Sequence, residues 1–304
     1  MRLDDQRESS NIDDQRGSGG GGGGGFGFGG GGGGFGLGGR GLSLGGIIIV
    51  GIIALIFGIN PLTLLGGGGG SQAPIGQPRE QVGQPQGPAV AGADTSGRFV
   101  RKVLGSTEDT WGKLFPEQVG RAYVNPTLTL FSGQVRSACG SASAASGPFY
   151  CPADQKVYLD TSFFDELTQR FGAPGDFAQA YVIAHEIGHH IQQQLGISDK
   201  VTAAQQRASR SQGNALSVRL ELQADCLAGV WGKANAALLE NGDIDEAMQA
   251  ATAIGDDRLQ REAQGTVVPD SFTHGTSAQR TRWLRTGLES GLISSCDTFN
   301  AASL

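Results

Sequence analysis

The chain has 304 residues, 52 of which are glycine, and a formal net charge of −6 at pH 7. More than half of the glycines lie between Gly17 and Gly70, so only about the last 210 residues have the composition of a globular domain. That length is enough for one domain with a hydrophobic core. The acidic balance gives no support for nucleic-acid binding, and no nucleic-acid partner is expected.

The first part of the chain predicts a disordered segment and then a membrane anchor. Residues 1–41 are polar and then almost entirely glycine, so they are expected to be disordered. Residues 42–65 contain no charged side chain and are strongly apolar at 47–57, which is long enough for a helix to cross a bilayer of ~30 Å. The exit at 58–61 lacks the small-residue pattern of a cleavage site, which favours an uncleaved anchor over a cleaved signal peptide.

Charges around this segment predict its orientation. Arg40 precedes it, and no Lys or Arg follows until Arg79. This asymmetry predicts a cytoplasmic N-terminus and a following domain outside the cytoplasm, in the periplasm or at the cell surface. Residues 66–93, rich in Gly, Pro and Gln, are expected to be a flexible linker to a domain at 94–304. The expected localisation is that of a single-pass membrane protein.

All four cysteines follow the predicted anchor. In an exported domain they are expected to form disulfides, and four cysteines permit three pairings, among which the sequence does not choose. Pairing of nearest neighbours would join Cys139 to Cys151 and Cys226 to Cys296. The alternative is free buried thiols in a cytosolic domain.

Two elements are predicted before the most informative motif. The run Val157-Tyr158-Leu159-Asp160 is short, apolar and β-branched in part, which predicts a strand. Apolar residues at helical spacing then predict a helix at 176–195. Its expected N-terminus is a capping box of Asp176 and Gln179, and Gly196 is the expected left-handed residue after its end.

Midway along that helix the chain reads His185-Glu186-x-x-His189. Residues four apart lie on one helix face, so both imidazoles can bind one metal ion. Glu186 then lies beside that ion, where it can take a proton from water. His190 points about 100° away from His189 and is interpreted as a bystander.

A second long helix, predicted at 215–239, supplies the candidate third ligand. A catalytic zinc takes three protein ligands, and Glu221 can provide a carboxylate oxygen. Asp225, one turn further on, can accept the second ring N–H of a ligand histidine. The alternative, in which Glu221 pairs with Arg219 or Lys233 on a solvated face, is disfavoured because the neighbouring residues are apolar.

The remaining helices complete the predicted fold. A helix is expected at 245–254, and the capping box Thr276-x-x-Gln279 predicts another at 277–290, followed by Gly291. His274, the only histidine outside the cluster, lies just before it. Helices outnumber strands, and the strands cluster before residue 160. The sequence therefore predicts an α+β domain, mainly helical with a small sheet over the motif helix.

Taken together, the motifs resemble those of a known enzyme family. His185-Glu186-x-x-His189 followed by Glu221-x-x-Ala224-Asp225 resembles the gluzincin pattern of thermolysin-like zinc peptidases. The chain more closely resembles the bacterial family called putative neutral zinc metallopeptidases. Further blocks that resemble this family are Met1-Arg2, Arg7-Glu8-Ser9-Ser10-Asn11, Phe149-Tyr150-Cys151-Pro152-Ala153-Asp154, Val157-Tyr158-Leu159-Asp160 and Thr273-His274-Gly275 through Arg280.

The resemblance implies a zincin-like metallopeptidase domain with Zn²⁺ as its cofactor and a protein or peptide as its substrate. In such a site an edge strand lies along the cleft and can pair with an extended peptide, a role that 157–160 would fill. An ordinary strand is at least as good an interpretation of Tyr158. In gluzincins a distant histidine often steadies the oxyanion, and His274 is the candidate here; a purely structural role for it is the alternative.

The expected function is therefore that of a membrane-anchored zinc-dependent endopeptidase. Zn²⁺ would be held by His185, His189 and Glu221, with Glu186 as the general base. One alternative is a catalytically silent zinc-containing domain that binds or serves as an adaptor at the membrane surface. Another is a structural protein that works through its Gly-rich segment.

Overall fold

A computed structural model of the protein describes residues 1–17 and 94–304. Within these residues the chain is mostly helical with a small sheet, which confirms the predicted balance of elements. The strands are β1 (Ile12–Asp14), β2 (Thr127–Phe131), β3 (Gln134–Ser137), β4 (Gly140–Ser143), β5 (Phe149–Cys151) and β6 (Lys156–Asp160). The helices are α1 (Thr95–Val119), α2 (Phe163–Gln169), α3 (Asp176–Gln194), α4 (Ile197–Gln205), α5 (Arg210–Ala234), α6 (Asp243–Ala253), α7 (Asp256–Gln264) and α8 (Ser277–Ser290).

The main sheet has the strand order β1-β2-β6-β5. β1, β2 and β6 are parallel, and β5 runs antiparallel to β6. The strand predicted at 157–160 is therefore confirmed, but its interpretation as an edge strand is wrong, because β2 and β5 pair with its two sides. β1 and β5 are the edge strands of this sheet, and β3 and β4 form a separate antiparallel hairpin.

Residues 1–17 belong to the folded domain, which corrects the expectation of disorder for this part of 1–41. β1 pairs with β2, and the side chains of Met1 and Leu3 are buried. Arg16 donates from Nη1 to Oδ1 of Asp94, 2.9 Å away. The expectation failed because it was based on composition, whereas a short polar segment can be held by the edge of an existing sheet. Residues 18–41 and the linker predicted at 66–93 lie outside the described residues.

Four predicted helices are confirmed as α3, α5, α6 and α8. α5 begins and ends five residues before its predicted bounds, and the ends of the other three differ by at most two residues. The capping box Thr276–Gln279 at the start of α8 is present, and Gly291 follows with a φ of 65°. The box predicted for α3 is wrong: Gly175 is the N-cap, and Asp176 is the first helical residue. The Asp176 carboxylate instead accepts hydrogen bonds from the Met1 amino group at 2.9 Å.

α3 packs against α5, and Gly188 of the histidine motif lies at their contact. A Cβ on Gly188 would lie 2.9 Å from the carbonyl oxygen of Ala224 and 3.0 Å from its Cα. Only glycine therefore lets the two helices approach this closely. The close approach brings the motif face of α3 to the part of α5 that carries Glu221 and Asp225.

Both disulfides follow the nearest-neighbour pairing. Cys139 is joined to Cys151 in β5, and Cys226 in α5 is joined to Cys296. The alternative of four free thiols is wrong. Disulfides persist in oxidising compartments, so they are consistent with a domain outside the cytoplasm.

The predicted single-pass localisation is contradicted. Among residues 1–17 and 94–304, none of the helices combines the length and the apolar character needed to cross a bilayer. The anchor predicted at 42–65 is outside the described residues. The assignment as a single-pass membrane protein is accordingly withdrawn, since it was based only on an apolar run between glycine tracts.

Candidate metal centre

His185, His189 and Glu221 form a compact buried group between α3 and α5. Nε2 of His185 lies 3.1 Å from Oε2 of Glu221, and Nε2 of His189 lies 3.5 Å from Oε1. The candidate ligand atoms of the three residues all lie within 4.8 Å of one another. In a tetrahedral zinc site with bonds of 2.0–2.1 Å, neighbouring ligand atoms are ~3.3 Å apart. The group therefore has the spacing and the donor atoms that one Zn²⁺ ion requires.

The histidines and carboxylates of this group shift one another's pKa values. Burial alone would raise the pKa of Glu221, but His189 and His274 outweigh it and hold that pKa well below its usual range. Burial alone would lower the pKa of His185, but Asp225 and Glu221 raise it to about 10. The two histidines and the carboxylate thus favour each other's charged forms, and binding of a cation here would release protons from the imidazoles.

His185 is oriented by a network of buried polar side chains. Its Nδ1 lies 2.8 Å from Oδ1 of Asp225, the partner predicted from the sequence. The same oxygen accepts from the hydroxyl of Tyr181 at 2.6 Å and from Nη2 of Arg280 at 2.8 Å. Arg280 also donates from Nε to Oδ2 of Asp225 at 3.0 Å. In the neutral ring, with Nδ1–H donating to the carboxylate, Nε2 carries the lone pair, and this nitrogen faces Glu221.

His189 is oriented by a chain of amide side chains. Its Nδ1 lies 2.9 Å from Oε1 of Gln192, an atom that only accepts hydrogen bonds. Gln192 in turn donates from Nε2 to Oε1 of Gln223 at 3.1 Å and to the carbonyl of Leu220 at 2.6 Å. Gln223 donates to the carbonyl of Cys296 at 2.9 Å. This chain fixes the proton of His189 on Nδ1 and leaves Nε2 free to bind a metal ion.

Glu186 lies beside this group and lines the same cavity. Burial raises the pKa of its carboxyl, an effect that the neighbouring histidines oppose. Residues 145–149, which lead into the edge strand β5, also line the cavity. The cavity thus places a buried carboxylate, the candidate metal ligands and a free strand edge side by side.

His274 reaches the cavity from the loop before α8. Its backbone N–H donates to Oδ2 of Asp256 at 2.6 Å, and its Nδ1 lies 3.3 Å from Oδ1 of the same residue. Asp256 is 2% exposed and also accepts from the backbone N–H groups of Thr273 and Gly275. Burial lowers the pKa of His274, but Glu221 and Asp256 outweigh it, and the pKa is raised.

The structure therefore brings together every side chain that the sequence singled out for the site. The pairing of Glu221 with Arg219 on a solvated face is wrong, since Glu221 is buried and Arg219 donates to the carbonyl of Thr298. His190 lies outside the group: its Nδ1 is 3.0 Å from the Tyr150 hydroxyl, and its Nε2 is 2.7 Å from the carbonyl of Val124.

Five residues of the surrounding network were not predicted: Tyr181, Gln192, Gln223, Asp256 and Arg280. Part of the signal was present in the sequence, because two glutamines stand among apolar residues of α3 and α5, where a buried amide needs a partner. The position of Arg280 at the end of a family block was a further hint. Its partner across the fold could not be read from the chain.

Comparison with known proteins agrees with this geometry. The family model described as "Putative neutral zinc metallopeptidase" matches residues 1–299. The chain is 46% identical over 302 residues to the uncharacterized protein YpfJ of Escherichia coli K12, covering 98% of this chain and 99% of that protein. It is 41% identical over 270 residues to the uncharacterized protein Rv2575 of Mycobacterium tuberculosis H37Rv, covering 83% and 86% of the two chains. No solved structure gives a significant match. The chain belongs to the putative neutral zinc metallopeptidase family.

Proposed function

We propose that this protein is a zinc-dependent endopeptidase with a zincin-like site. The observation that carries the proposal is the convergence of His185, His189, Glu221 and Glu186 on one cavity. Membership of the family supports it at the level of a zinc peptidase. The substrate is then a protein or a peptide.

The chain's own residues fit a zinc ion. Two histidines and one glutamate form a donor set found in catalytic zinc sites, which leave the fourth position open. Both Nδ1 atoms already have partners on the protein, so Nε2 of His185 and of His189 are the atoms that would bind, together with a carboxylate oxygen of Glu221. When bound, Zn²⁺ polarises a carbonyl group and lowers the pKa of water.

Glu186 is the proposed general base. Its buried carboxylate lies beside the candidate ligands, where it can accept the proton of the attacking water. The same carboxyl group then delivers that proton to the nitrogen of the leaving amine. Its raised pKa suits this exchange, because a carboxyl group that both takes and gives a proton works best with a pKa near the working pH.

His274 and β5 have supporting roles in the proposal. Asp256 holds the loop so that His274 faces the cavity, where its ring can donate to the negative charge that develops on the carbonyl oxygen. β5 is an edge strand that begins at the cavity, so its unpaired backbone groups can bind an extended peptide. The sequence had assigned this role to the neighbouring strand.

The test is the variant Glu186→Gln, which keeps the shape of the side chain but not its basicity. We expect it to retain one zinc ion per chain by elemental analysis. It should cleave a mixed peptide library at least ~100-fold more slowly than the native protein, because general-base catalysis typically contributes that much.

Addition of a chelator to the native protein should also abolish cleavage, and zinc should restore it. Equal cleavage by the Glu186→Gln variant and the native protein would refute the role of Glu186. If the zinc-loaded native protein cleaves no member of the library, the function is instead that of a catalytically silent zinc-containing binding domain.

A further inference from the structure

The cavity extends past the candidate metal centre toward the N-terminal end of α3, where apolar side chains line it. Val182 lies one helical turn before Glu186 and is apolar. The same cavity is lined by Phe163 and Phe171, whose ring centroids are 6.3 Å apart, and by Ile254 and Leu259. These five side chains form what we call the apolar pocket. No step of the proposed mechanism uses them.

The size of the cavity limits what it can hold. The whole cavity, including the space beside the candidate metal ligands, has a volume of about 130 Å³, so its apolar part has room for no more than one side chain. An apolar protein cavity of ~150 Å³ is known to bind benzene, so a single phenyl or leucyl side chain is of the right size. Phe163, Ile254 and Leu259 are half-buried, so part of their apolar surface is accessible to water. Entry of an apolar side chain would remove that surface from water, which is favourable.

The pocket also lies at the right distance from the chemistry. One turn of helix, ~5.4 Å, separates Val182 from Glu186. In an extended peptide neighbouring residues are ~3.3 Å apart and a side chain stands perpendicular to the backbone. A side chain that flanks the cleaved bond can therefore reach the pocket while the bond itself lies next to Glu186.

We propose that the apolar pocket is a specificity pocket that binds one large apolar side chain, aromatic or long aliphatic, next to the cleaved bond. This inference deepens the proposed function and rests on it for the position of that bond. It restricts the substrate to peptides that present such a side chain in an extended segment.

One carboxylate lies among these walls and adds a second element of selectivity. Glu166 is half-buried and lines the same cavity, and burial raises its pKa. An acidic substrate side chain would bring a second carboxylate to this carboxylate in a poorly hydrated place, which is unfavourable. Arg170, the residue after α2, partly opposes the rise of the pKa of Glu166, and its guanidinium lies over the ring of Phe171 at 5.4 Å. The pocket is thus expected to reject Asp and Glu.

The first experiment measures binding without catalysis. The zinc-loaded protein is titrated with the N-acetyl amides of Phe, Leu, Ala, Lys and Glu, and dissociation constants are obtained from NMR shifts. We expect the Phe and Leu probes to bind at least ~10-fold more tightly than the Ala probe, as apolar pockets discriminate by that order. Tighter binding of the Lys probe, or equal binding of all five, would overturn the proposal.

The second experiment fills the pocket. Leu259→Trp should reduce the ratio of kcat/KM for a Phe-containing peptide to that for its Ala analogue at least ~10-fold. Leu292→Trp is the matched control, because Leu292 is 47% exposed and lies outside the cavity, and this ratio should stay unchanged. Ile254→Ala, which enlarges the pocket, should shift the preference from Phe toward Trp and provides the test if Leu259→Trp does not fold.

A third variant, Glu166→Gln, should lower the dissociation constant of the Glu probe relative to that of the Phe probe, and an unchanged ratio would refute the role of Glu166. The outcomes separate the two proposals. Preference for the Phe probe without cleavage of any peptide would support the apolar pocket as a binding site and refute the proposed peptidase activity. Equal rates of cleavage with Phe, Ala or Lys next to the cleaved bond would support the peptidase activity and refute the specificity pocket.

Discussion

At the scale of single residues, the two motif histidines are oriented by different chemistry. His185 donates to the carboxylate of Asp225, whereas His189 donates to the neutral amide oxygen of Gln192. A carboxylate partner makes the imidazole a stronger donor to a metal than an amide partner does. In both cases the contact fixes the tautomer, because a ring whose Nδ1 carries the proton must offer Nε2 to the ligand.

The amide contact to His189 can be tested by Gln192→Leu, which has a similar shape and no oxygen. Without the acceptor, the ring of His189 loses its fixed tautomer and orientation. We expect the affinity for zinc to fall ~10–100-fold, the usual effect of removing a partner of a ligand histidine. The measurement is a competition between the protein and a chromophoric chelator.

Gln193→Leu is the matched control, because Gln193 donates to Asp199, whereas Nδ1 of His189 makes its hydrogen bond with Gln192 alone among the described residues. Its affinity for zinc should equal that of the native protein. An unchanged affinity in Gln192→Leu, with normal binding in the control, would show that the amide chain does not orient the ligand.

At the scale of elements, the site depends on how closely α3 and α5 pack. Each helix is predicted by its own apolar periodicity, and each carries part of the site. Gly188 is the residue of the histidine motif that allows their close contact. Its requirement for glycine arises from a neighbouring helix and not from the geometry of α3 itself.

The variant Gly188→Ala separates these two effects. Helix propensity alone favours Ala over Gly by ~1 kcal/mol. A Cβ 2.9 Å from the backbone oxygen of Ala224 cannot be relieved by turning a side chain, and overpacking of this kind costs about 1–3 kcal/mol. We therefore expect a net loss of unfolding free energy, measured with urea, and weaker zinc binding because Glu221 moves away from the histidines.

Gly112→Ala in α1 serves as the control, since Gly112 is exposed within its helix and a Cβ there would meet nothing within 4 Å. It should stabilise the protein by up to ~1 kcal/mol and leave zinc affinity as it is. If Gly188→Ala were stabilising to the same degree, the close approach of the helices would not be a constraint.

At the scale of the whole molecule, the N-terminal segment completes the sheet and is held by a cluster of charges. Arg16 donates to Asp14 and to Asp94, which lies just before α1. Its hydrogen bonds lower the pKa of both carboxyl groups to about 2. The cluster is partly exposed, so its contribution to stability is reduced by solvent.

These pKa shifts predict a dependence of stability on pH. A carboxyl group whose pKa is depressed in the folded state contributes stability above its unfolded value of ~3.9 and loses it as the pH falls through the folded value. The difference in unfolding free energy between the native protein and Arg16→Leu should therefore be constant above about pH 4 and shrink toward pH 2. Urea unfolding curves between pH 2 and pH 6 measure it.

Arg121→Leu is the comparison, because Arg121 donates to the backbone carbonyl of Gln194 rather than to a carboxylate. The difference in unfolding free energy between Arg121→Leu and the native protein should not change between pH 4 and pH 2. A difference for Arg16→Leu that stays constant down to pH 2 would show that the charge cluster does not hold the segment.

The sequence by itself determined the local features of this protein. It predicted α3, α5, α6 and α8, the strand at 157–160 and the α+β composition of the domain, because apolar periodicity and capping act over a few residues. It also selected His185, Glu186, His189, Glu221, Asp225 and His274, since ligand spacing on a helix is itself local. It did not predict α1 and β1, because their segments adjoin the glycine-rich part of the chain, where composition hides the local patterns.

The tertiary structure alone decided which of these features meet. Contacts between residues far apart in the chain set the edge position of β5 and the approach of α3 to α5 at Gly188. The same is true of the hydrogen bonds from Gln192 to Gln223 and from Arg280 to Asp225. The apolar pocket likewise draws its walls from α2, α3 and α7 and from residues between helices. Such contacts follow from packing complementarity and the pairing of buried polar groups, which no local pattern encodes.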